Sequence, residues 1–266
     1  INNGGIVQYA AGTLNTDMMG LGVVTIFGAG QLDFNGASDT ITNVVIAATG
    51  ATGNTTPITN SAAGGNLSIG TLTITPVAGY LSQVNTGTGT NTLGGDVTFA
   101  AATTGRAKIS GNLALGGTNR TFTVGLGPAP VPWYELEIDA AISGGVSNGV
   151  IKAGTGTLVL SGTNTFDGVL SVAAGTVILR NAQALGTPSM ARIGSIGAAS
   201  TLALDGVGIS DPANRITLSL NGTGDTRVGV PSGALVNLAG NNSVPCPITL
   251  AAASQIASLK AGDRLT

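Results

Sequence analysis

Short runs of alternating apolar and polar residues recur along this sequence, and they constrain its fold more than any other feature. Clear examples are "VVTIF" at 23–27, "TLVL" at 157–160, "TVIL" at 176–179 and "TLAL" at 201–204. Each run is only a few residues long and is bounded by Gly, Asn, Asp or Pro, which is the pattern of short β-strands joined by turns. The alternation therefore predicts an all-β protein.

The spacing of these runs predicts how the strands are arranged. Equivalent apolar positions recur at Leu158, Val177 and Leu202, and then at Leu218 and Val236. The interval between neighbours is roughly 20 residues on average, which is typical of stacked coils in which each coil shares its apolar side with its neighbours. Residues 1–266 are therefore expected to form a single solenoid segment.

Alternation also indicates which side chains enter the core. Leu158 and Leu160 occupy the places that Val177 and Leu179 take one coil later, so we expect these four to stack inward. The residues between them are expected to face outward: Thr157, Val159, Thr176 and Ile178. Outward Val and Ile indicate either a partly covered outer face or simply a high β-propensity. At the intervening corner, Asn164 is expected to satisfy backbone groups and Phe166 to fill the core.

Composition narrows the class of protein. Charged residues are 8% of the 266 residues and apolar residues 42%, which is too apolar for a disordered chain and less charged than a typical soluble enzyme. A net charge of −2, with ten scattered Lys and Arg, argues against nucleic-acid binding. With no His and one Cys, a zinc site or an internal disulfide is not expected. These properties favour an extracellular bacterial protein without a cofactor.

Several segments are expected to lie outside the coils. Polar stretches at 53–60 and 85–92 have the composition of exposed loops, and the prolines and aromatics of 128–134 indicate an excursion from the sheet. The chain begins at "INNGG" without a Met or a targeting signal, so we expect an interior piece of a longer protein. No apolar run approaches the length of roughly 20 residues that a transmembrane helix needs, so none is expected.

One segment resembles a known family. Residues 154–187 are similar to the autotransporter passenger-associated β-strand repeat, which runs G-x-G-T-L-x-L-x-G-x-N-T-aromatic-x-G, then V-x-x-G-T-L-x-L and N-x-x-A-L-G. The matching landmarks are Gly154, Gly156, Thr157, Leu158, Leu160, Gly162, Asn164, Thr165, Phe166, Gly168, Val172, Gly175, Thr176, Leu179, Asn181, Ala184, Leu185 and Gly186. The resemblance is clearest over 136–187. It implies a right-handed parallel β-helix in a secreted or surface-displayed bacterial protein, and it carries over no catalytic residues.

The densest group of chemically active side chains lies at 133–139. It contains Trp133, Tyr134, Glu135, Glu137 and Asp139. On a strand, carboxylates at alternate positions project from one face about 7 Å apart. We expect an ordinary solvated face here; the alternatives are a calcium site or a glycosidase-like acid pair beside an aromatic sugar platform. The turn "NGTGDT" at 221–226 is a weaker metal candidate, because the repeated calcium-binding nonapeptide is missing.

The sequence favours a non-enzymatic structural segment of a bacterial cell-surface or secreted repeat protein. Its work would be that of a stalk, coat or filament, with adhesion or self-association as further roles. The expected partners are other copies of the chain, or neighbouring surface proteins and glycans, at an extracellular location associated with the outer membrane. The alternative is a β-helix polysaccharide lyase or glycoside hydrolase, because that fold also hosts such enzymes.

Overall fold

The chain winds as a parallel β-helix. A computed structural model describes residues 1–10, 22–47, 50–100, 104–128, 134–226 and 232–266. Within these ranges the regular structure consists of β-strands, with no helix, and every strand pairing is parallel. Parallel pairing arises because each strand lies against the strand one coil earlier and one coil later. The predicted β-solenoid is confirmed.

The strands are short, as the turn residues that bound them require. The N-terminal strands are β1 (Ile6–Gln8), β2 (Val23–Phe27), β3 (Gln31–Asp33), β4 (Asp39–Ala47), β5 (Thr55–Thr59), β6 (Asn66–Thr75), β7 (Leu81–Leu93), β8 (Val97–Phe99), β9 (Arg106–Ala114), β10 (Arg120–Val124) and β11 (Leu136–Ile138). The C-terminal strands are β12 (Ala141–Ser143), β13 (Val150–Ala153), β14 (Thr157–Leu160), β15 (Leu170–Val172), β16 (Gly175–Leu179), β17 (Arg192–Ile196), β18 (Ser200–Asp205), β19 (Ile216–Gly222), β20 (Leu235–Ala239), β21 (Ile248–Ser254) and β22 (Ile256–Ser258).

Two long parallel sheets form the walls of the solenoid. The first sheet joins β1, β3, β5, β7, β9, β11, β14, β16, β18, β20 and β22. The second sheet joins β2, β4, β6, β8, β10, β13, β15, β17, β19 and β21. A shorter third ladder joins parts of β4, β6, β7, β9 and β12, so that Leu67 stacks on Asn91 and Asn91 on Leu113. The core lies between these walls.

One inward position of the first sheet follows the coils from end to end. Its rungs, in order, are Val7, Leu32, Ile58, Val84, Ile109, Ile138, Leu160, Leu179, Leu204, Asn237 and Ser258. The shortest coil runs from Leu160 to Leu179, and the longest runs from Leu204 to Asn237. Ten steps of about 4.8 Å give a ladder about 48 Å long.

The register corrects part of the predicted spacing. Leu158, Val177 and Leu202 do stack in successive coils, but Leu202 then pairs with Leu235. Leu218 belongs to the second sheet, where it pairs with Ile248. The predicted intervals Leu202–Leu218 and Leu218–Val236 therefore connect the two sheets, and do not join equivalent positions of successive coils. Periodicity alone misassigned them because both walls have the same apolar alternation, and most coils are consequently longer than the predicted interval.

The corners are closed by side chains and by close backbone approach. Asn164 is fully buried; its Oδ1 accepts the N–H of Ile142 in the preceding coil at 2.9 Å, and its Nδ2 donates to the carbonyl of Ala184 in the next coil at 2.8 Å. This confirms the predicted corner role. A Cβ at Gly162 would lie 2.0 Å from the carbonyl oxygen of Ala140, so the repeat requires glycine there. Phe166 is fully buried, as predicted.

Two predicted polar loops are strands, which corrects the sequence analysis. Residues 53–60 contain β5, and residues 85–92 lie within β7. Thr86 of β7 is fully buried, and its Oγ1 accepts the backbone N–H of Asn112 at 2.8 Å. A polar side chain can therefore occupy an inward position when the next coil satisfies it. Of the predicted excursion at 128–134, residues 129–133 lie outside the described ranges.

Candidate functional site

The predicted cluster lies on the outer face of the first sheet, around β11. Leu136 and Ile138 are fully buried in the core, and Glu137 and Asp139 are partly exposed on the opposite side of the strand. This part of the alternation agrees with the sequence analysis. Trp133 lies outside the described residues.

Glu135 differs from the other two carboxylates. It is 1% exposed, so the expectation that all three acids form a solvated face is wrong for this residue. Its Oε2 accepts the backbone N–H of Thr157 in the next coil at 2.6 Å, and its Oε1 accepts that of Gly127 at 3.2 Å. The carboxylate thus joins both ends of the excursion to the following coil.

Tyr134 lies at the centre of a polar network. Its hydroxyl accepts a hydrogen bond from Nη1 of Arg106 at 3.1 Å and donates to Oε2 of Glu137 at 3.3 Å. Ser161 donates to the other oxygen of Glu137 at 2.9 Å. The guanidinium carbons of Arg106 and Arg180 lie 5.3 and 5.6 Å from the ring centroid, within cation–π range. With 8% of Tyr134 exposed, the ring is not the open sugar platform that one alternative required.

Two ion pairs flank Tyr134 on the same outer face. Lys108 Nζ lies 2.7 Å from Oδ2 of Asp139, and Arg180 Nε lies 2.8 Å from Oδ2 of Asp205. The hydrogen bond from Lys108 to Asp139 raises the pKa of Lys108. The acids of this face therefore have separate partners. In the described part of the chain, no group of three or more acidic, His or Cys side chains could hold a metal ion.

The outer face beyond Tyr134 is covered. A second apolar cluster, separate from the core, packs there and consists of Tyr134, Val159, Ile178, Ala203 and Val236. Val159 is fully buried and Ile178 is 5% exposed. These outward residues are therefore apolar because the face is covered, and not merely because Val and Ile favour strands. This side of the sheet does not meet solvent as an ordinary solenoid wall does.

The turn at 221–226 takes part in that covering. Asp225 is 4% exposed; its Oδ2 accepts a hydrogen bond from Thr176 Oγ1 at 3.0 Å. Its backbone N–H donates to Oγ1 of Thr201 at 2.9 Å, and the same hydroxyl donates to the carbonyl of Gly233. The acid of this turn therefore fixes an excursion onto the stacked threonines of β16 and β18.

Lys152 is a buried cation that the sequence analysis missed. It occupies an inward position of β13, stacked between Phe122 and Val172, and is fully buried. Its Nζ donates to the backbone carbonyls of Ala153 at 2.9 Å, Gly154 at 2.7 Å and Ala174 at 3.0 Å. The signal was available, because alternation in "VIKA" places Lys152 on the same face as the apolar residue two positions before it.

Comparison with known proteins agrees with this geometry. Residues 150–179 match the passenger-associated-transport-repeat family. A stretch of 101 residues is 37% identical to the adhesin BmaC autotransporter of Brucella suis biovar 1 (strain 1330); it covers 37% of this chain and 3% of that adhesin. No solved structure matches the chain.

The matched segment coincides with the most regular part of the solenoid. It spans β13 to β16 and includes the shortest coil.

None of the described residues forms a helix long and apolar enough to cross a membrane. The chain is a β-solenoid in which residues 150–179 match the passenger-associated transport repeat.

Proposed function

We propose that this chain is a non-enzymatic segment of the exported passenger of a bacterial surface adhesin. In this role it acts as a rigid spacer that holds adhesive regions away from the cell. The observation that carries the proposal is the ladder of the first sheet from Val7 to Ser258, because coils stacked strand on strand form a rod whose length grows with each repeat. The adhesin relative and the passenger repeat support the surface or extracellular location.

The side chains of the candidate site support a structural role. Glu135 is engaged by two backbone amides, Glu137 by Tyr134 and Ser161, and Asp139 by Lys108. A glycosidase requires two acids on either side of an open sugar site. Here the acids hold neighbouring coils and the excursion together.

The spacer role is tested by removing one coil. Deletion of residues 161–179 removes one whole coil. Leu160 then precedes Arg180 and takes the place of Leu179, its partner one coil later. We expect a folded protein about 4.8 Å shorter by small-angle X-ray scattering. A matched deletion of residues 161–170, which removes about half a coil, should lose register and unfold. A full-coil deletion that also unfolds would contradict modular stacking.

Adhesion is tested separately on living cells. The chain is displayed on a non-adherent bacterium, alone and as a spacer beneath a binding domain of known target. If the chain is a spacer, cells that display it beneath the binding domain should attach to the target in greater numbers than cells that display the domain without it. Cells that display the chain alone should attach no more than cells with the empty display scaffold. Strong attachment by the chain alone would instead make it an adhesive region.

The rival enzymatic function is tested with uronate polymers. We expect no turnover by the chain or by its Glu135→Gln and Glu137→Gln variants, with circular dichroism confirming that each is folded. Turnover that either substitution abolishes would contradict the structural role.

A further inference from the structure

The outward side of the second sheet is chemically unlike the rest of the solenoid. Small hydroxyl side chains are frequent on it, beside the exposed apolar side chains of Val23, Phe27 and Ile193. We call it the hydroxyl face; its central members are Thr71, Thr73, Thr98, Thr121, Thr123 and Ser171. Each is partly or fully exposed. Within the described strands of this sheet, no charged side chain occupies an outward position; Asp96 and Arg215 lie immediately before β8 and β19, and Asp96 accepts the N–H of Thr121 at 2.8 Å.

The outer face of the first sheet provides the contrast. Charged side chains at its described outward positions include Arg106, Lys108, Glu137, Asp139, Arg180 and Asp205. Part of it is also covered by the second apolar cluster. Among the described strands, charged side chains therefore occupy outward positions of the first sheet and not of the second.

The hydroxyl face has a regular central column. Thr25, Val45, Thr73, Thr98 and Thr123 stack directly on one another in five successive coils. All five are β-branched, so their side chains have restricted rotamers and lose little entropy when they are covered. Stacked strands repeat this column about every 4.8 Å.

We propose that the hydroxyl face is a lateral contact surface whose partner is a second copy of this chain. Two identical faces share the same coil spacing, so every coil of one copy can meet a coil of the other without strain. A two-fold contact would also bring a nearly uncharged surface against itself, which avoids the like-charge repulsion that disfavours self-association elsewhere on the chain. Short β-branched side chains allow close face-to-face packing of sheets.

The size of the face is sufficient for such a contact. Ten strands about 4.8 Å apart, with an average of about two outward positions each and about 7 Å between alternate residues, give roughly 650 Å² per copy. The total of roughly 1,300 Å² is at the lower end of specific protein interfaces, which implies reversible association that strengthens with coil number. The proposal rests on the spacer role, in which parallel rods on one surface lie side by side.

Sedimentation velocity over a range of protein concentrations tests the contact. The Thr98→Lys/Thr123→Lys variant places two charges on adjacent coils of the hydroxyl face. The matched control, Ser68→Lys/Thr92→Lys, places two charges on adjacent coils at outward positions of the third ladder. We expect the first variant to raise the dimer Kd at least about tenfold and the control to leave it within about twofold.

Salt and thermal stability complete the test. Association through the hydroxyl face should change little between low and high salt, whereas a contact through the charged wall should weaken. Equal melting temperatures of the two variants would exclude loss of folding as the cause. A wild-type chain that stays monomeric at every concentration, or a control that weakens association as much as the face variant, would overturn this proposal while leaving the coil-deletion test of the spacer role unaffected.

Discussion

The coil that carries the passenger-associated repeat and the coil three turns earlier share one backbone design but have different interiors. The repeat coil is lined mainly by aliphatic and aromatic residues, Leu158, Leu160, Phe166, Leu170 and Val172, with Asn164 at one corner. The earlier coil, formed by β7, is lined by Ser82, Val84, Thr86, Asn91 and Leu93. Both sets are buried. An inward side chain of a stacked coil therefore need not be apolar, provided that its polar atoms find hydrogen-bond partners.

The strongest test of this comparison truncates an apolar rung of the repeat coil. Leu160 is fully buried and stacked between Ile138 and Leu179. We expect Leu160→Ala to lower the free energy of unfolding by about 2–5 kcal/mol, because it leaves a cavity that neighbouring coils cannot fill. Equilibrium urea unfolding measures the loss. The control Leu259→Ala, at a side chain 45% exposed, should cost less than about 0.5 kcal/mol.

The next test removes the buried Lys152, which lies one coil before Val172 of the repeat coil. Lys152→Met keeps most of the side-chain volume and removes the donors to Ala153, Gly154 and Ala174. We expect a loss of about 1–3 kcal/mol, since the corner carbonyls lose their charged donor. Urea unfolding again provides the measurement. Unchanged or higher stability would mean that desolvation of the ammonium group offsets its hydrogen bonds.

A third change makes the earlier coil resemble the repeat. Asn91 is 1% exposed between Leu67 and Leu113, and its Oδ1 has no hydrogen-bond partner in the described structure. Asn91→Leu should raise the free energy of unfolding by about 1 kcal/mol, because it removes an unsatisfied buried atom. The same substitution at Asn164, whose amide joins three coils, should instead cost about 2 kcal/mol. Equal effects at both sites would contradict this distinction.

Buried or partly buried aspartates lie at corners of the repeat coil and of the earlier coils, and the pH dependence of the free energy of unfolding compares them. In the repeat coil, hydrogen bonds from Ser189, Ser147 and Arg192 hold the pKa of Asp167 far below its usual range. A lowered folded-state pKa gives stability that is complete above the unfolded pKa of about 4 and is lost as the pH falls through the folded value. Asp167→Asn should therefore lower stability at neutral pH and flatten its decline below about pH 4.

Urea midpoints between about pH 7 and pH 2 measure this effect. Asp33 is the matched site in the earlier coils: burial raises its pKa, but hydrogen bonds from Ser61, Gln8 and Asn35 outweigh burial and lower it. Asp33→Asn should flatten the same acid limb. A wild-type profile that is level below about pH 4 would contradict both assignments.

The contrast between the two coils also explains how much of the molecule the sequence predicted. The repeat coil was recognised because its inward positions are apolar and its corner residues have fixed types, such as Gly162 and Asn164. β5 and β7 were mistaken for loops because a buried threonine and an exposed one look alike in sequence. Thr86 is distinguished by its hydrogen bonds with Ser110 and Asn112, in the following coil.

The candidate site was predicted in part for the same reason. The alternation placed Glu137 and Asp139 outside and Leu136 inside. Burial of Glu135 depends on the backbone N–H of Thr157, in the next coil. Local pattern determines the direction of a side chain on a strand, but long-range stacking determines what covers it.

The last comparison pairs a glycine of the repeat coil, Gly162, with Gly194, at which the smallest effect is expected. Gly162→Ala would place a Cβ 2.0 Å from the carbonyl oxygen of Ala140 and should cost more than about 2 kcal/mol. Gly194, at the start of the less regular coils, borders a cavity of about 10 Å³, and its Cβ would lie 3.0 Å from the Leu170 carbonyl oxygen and 3.5 Å from Leu218 Cδ2. Gly194→Ala should change stability by less than about 0.5 kcal/mol, because the restriction that alanine places on the unfolded chain offsets the single tight contact. A loss as large as that of Gly162→Ala, measured by urea unfolding, would show that backbone contact requires glycine at both positions.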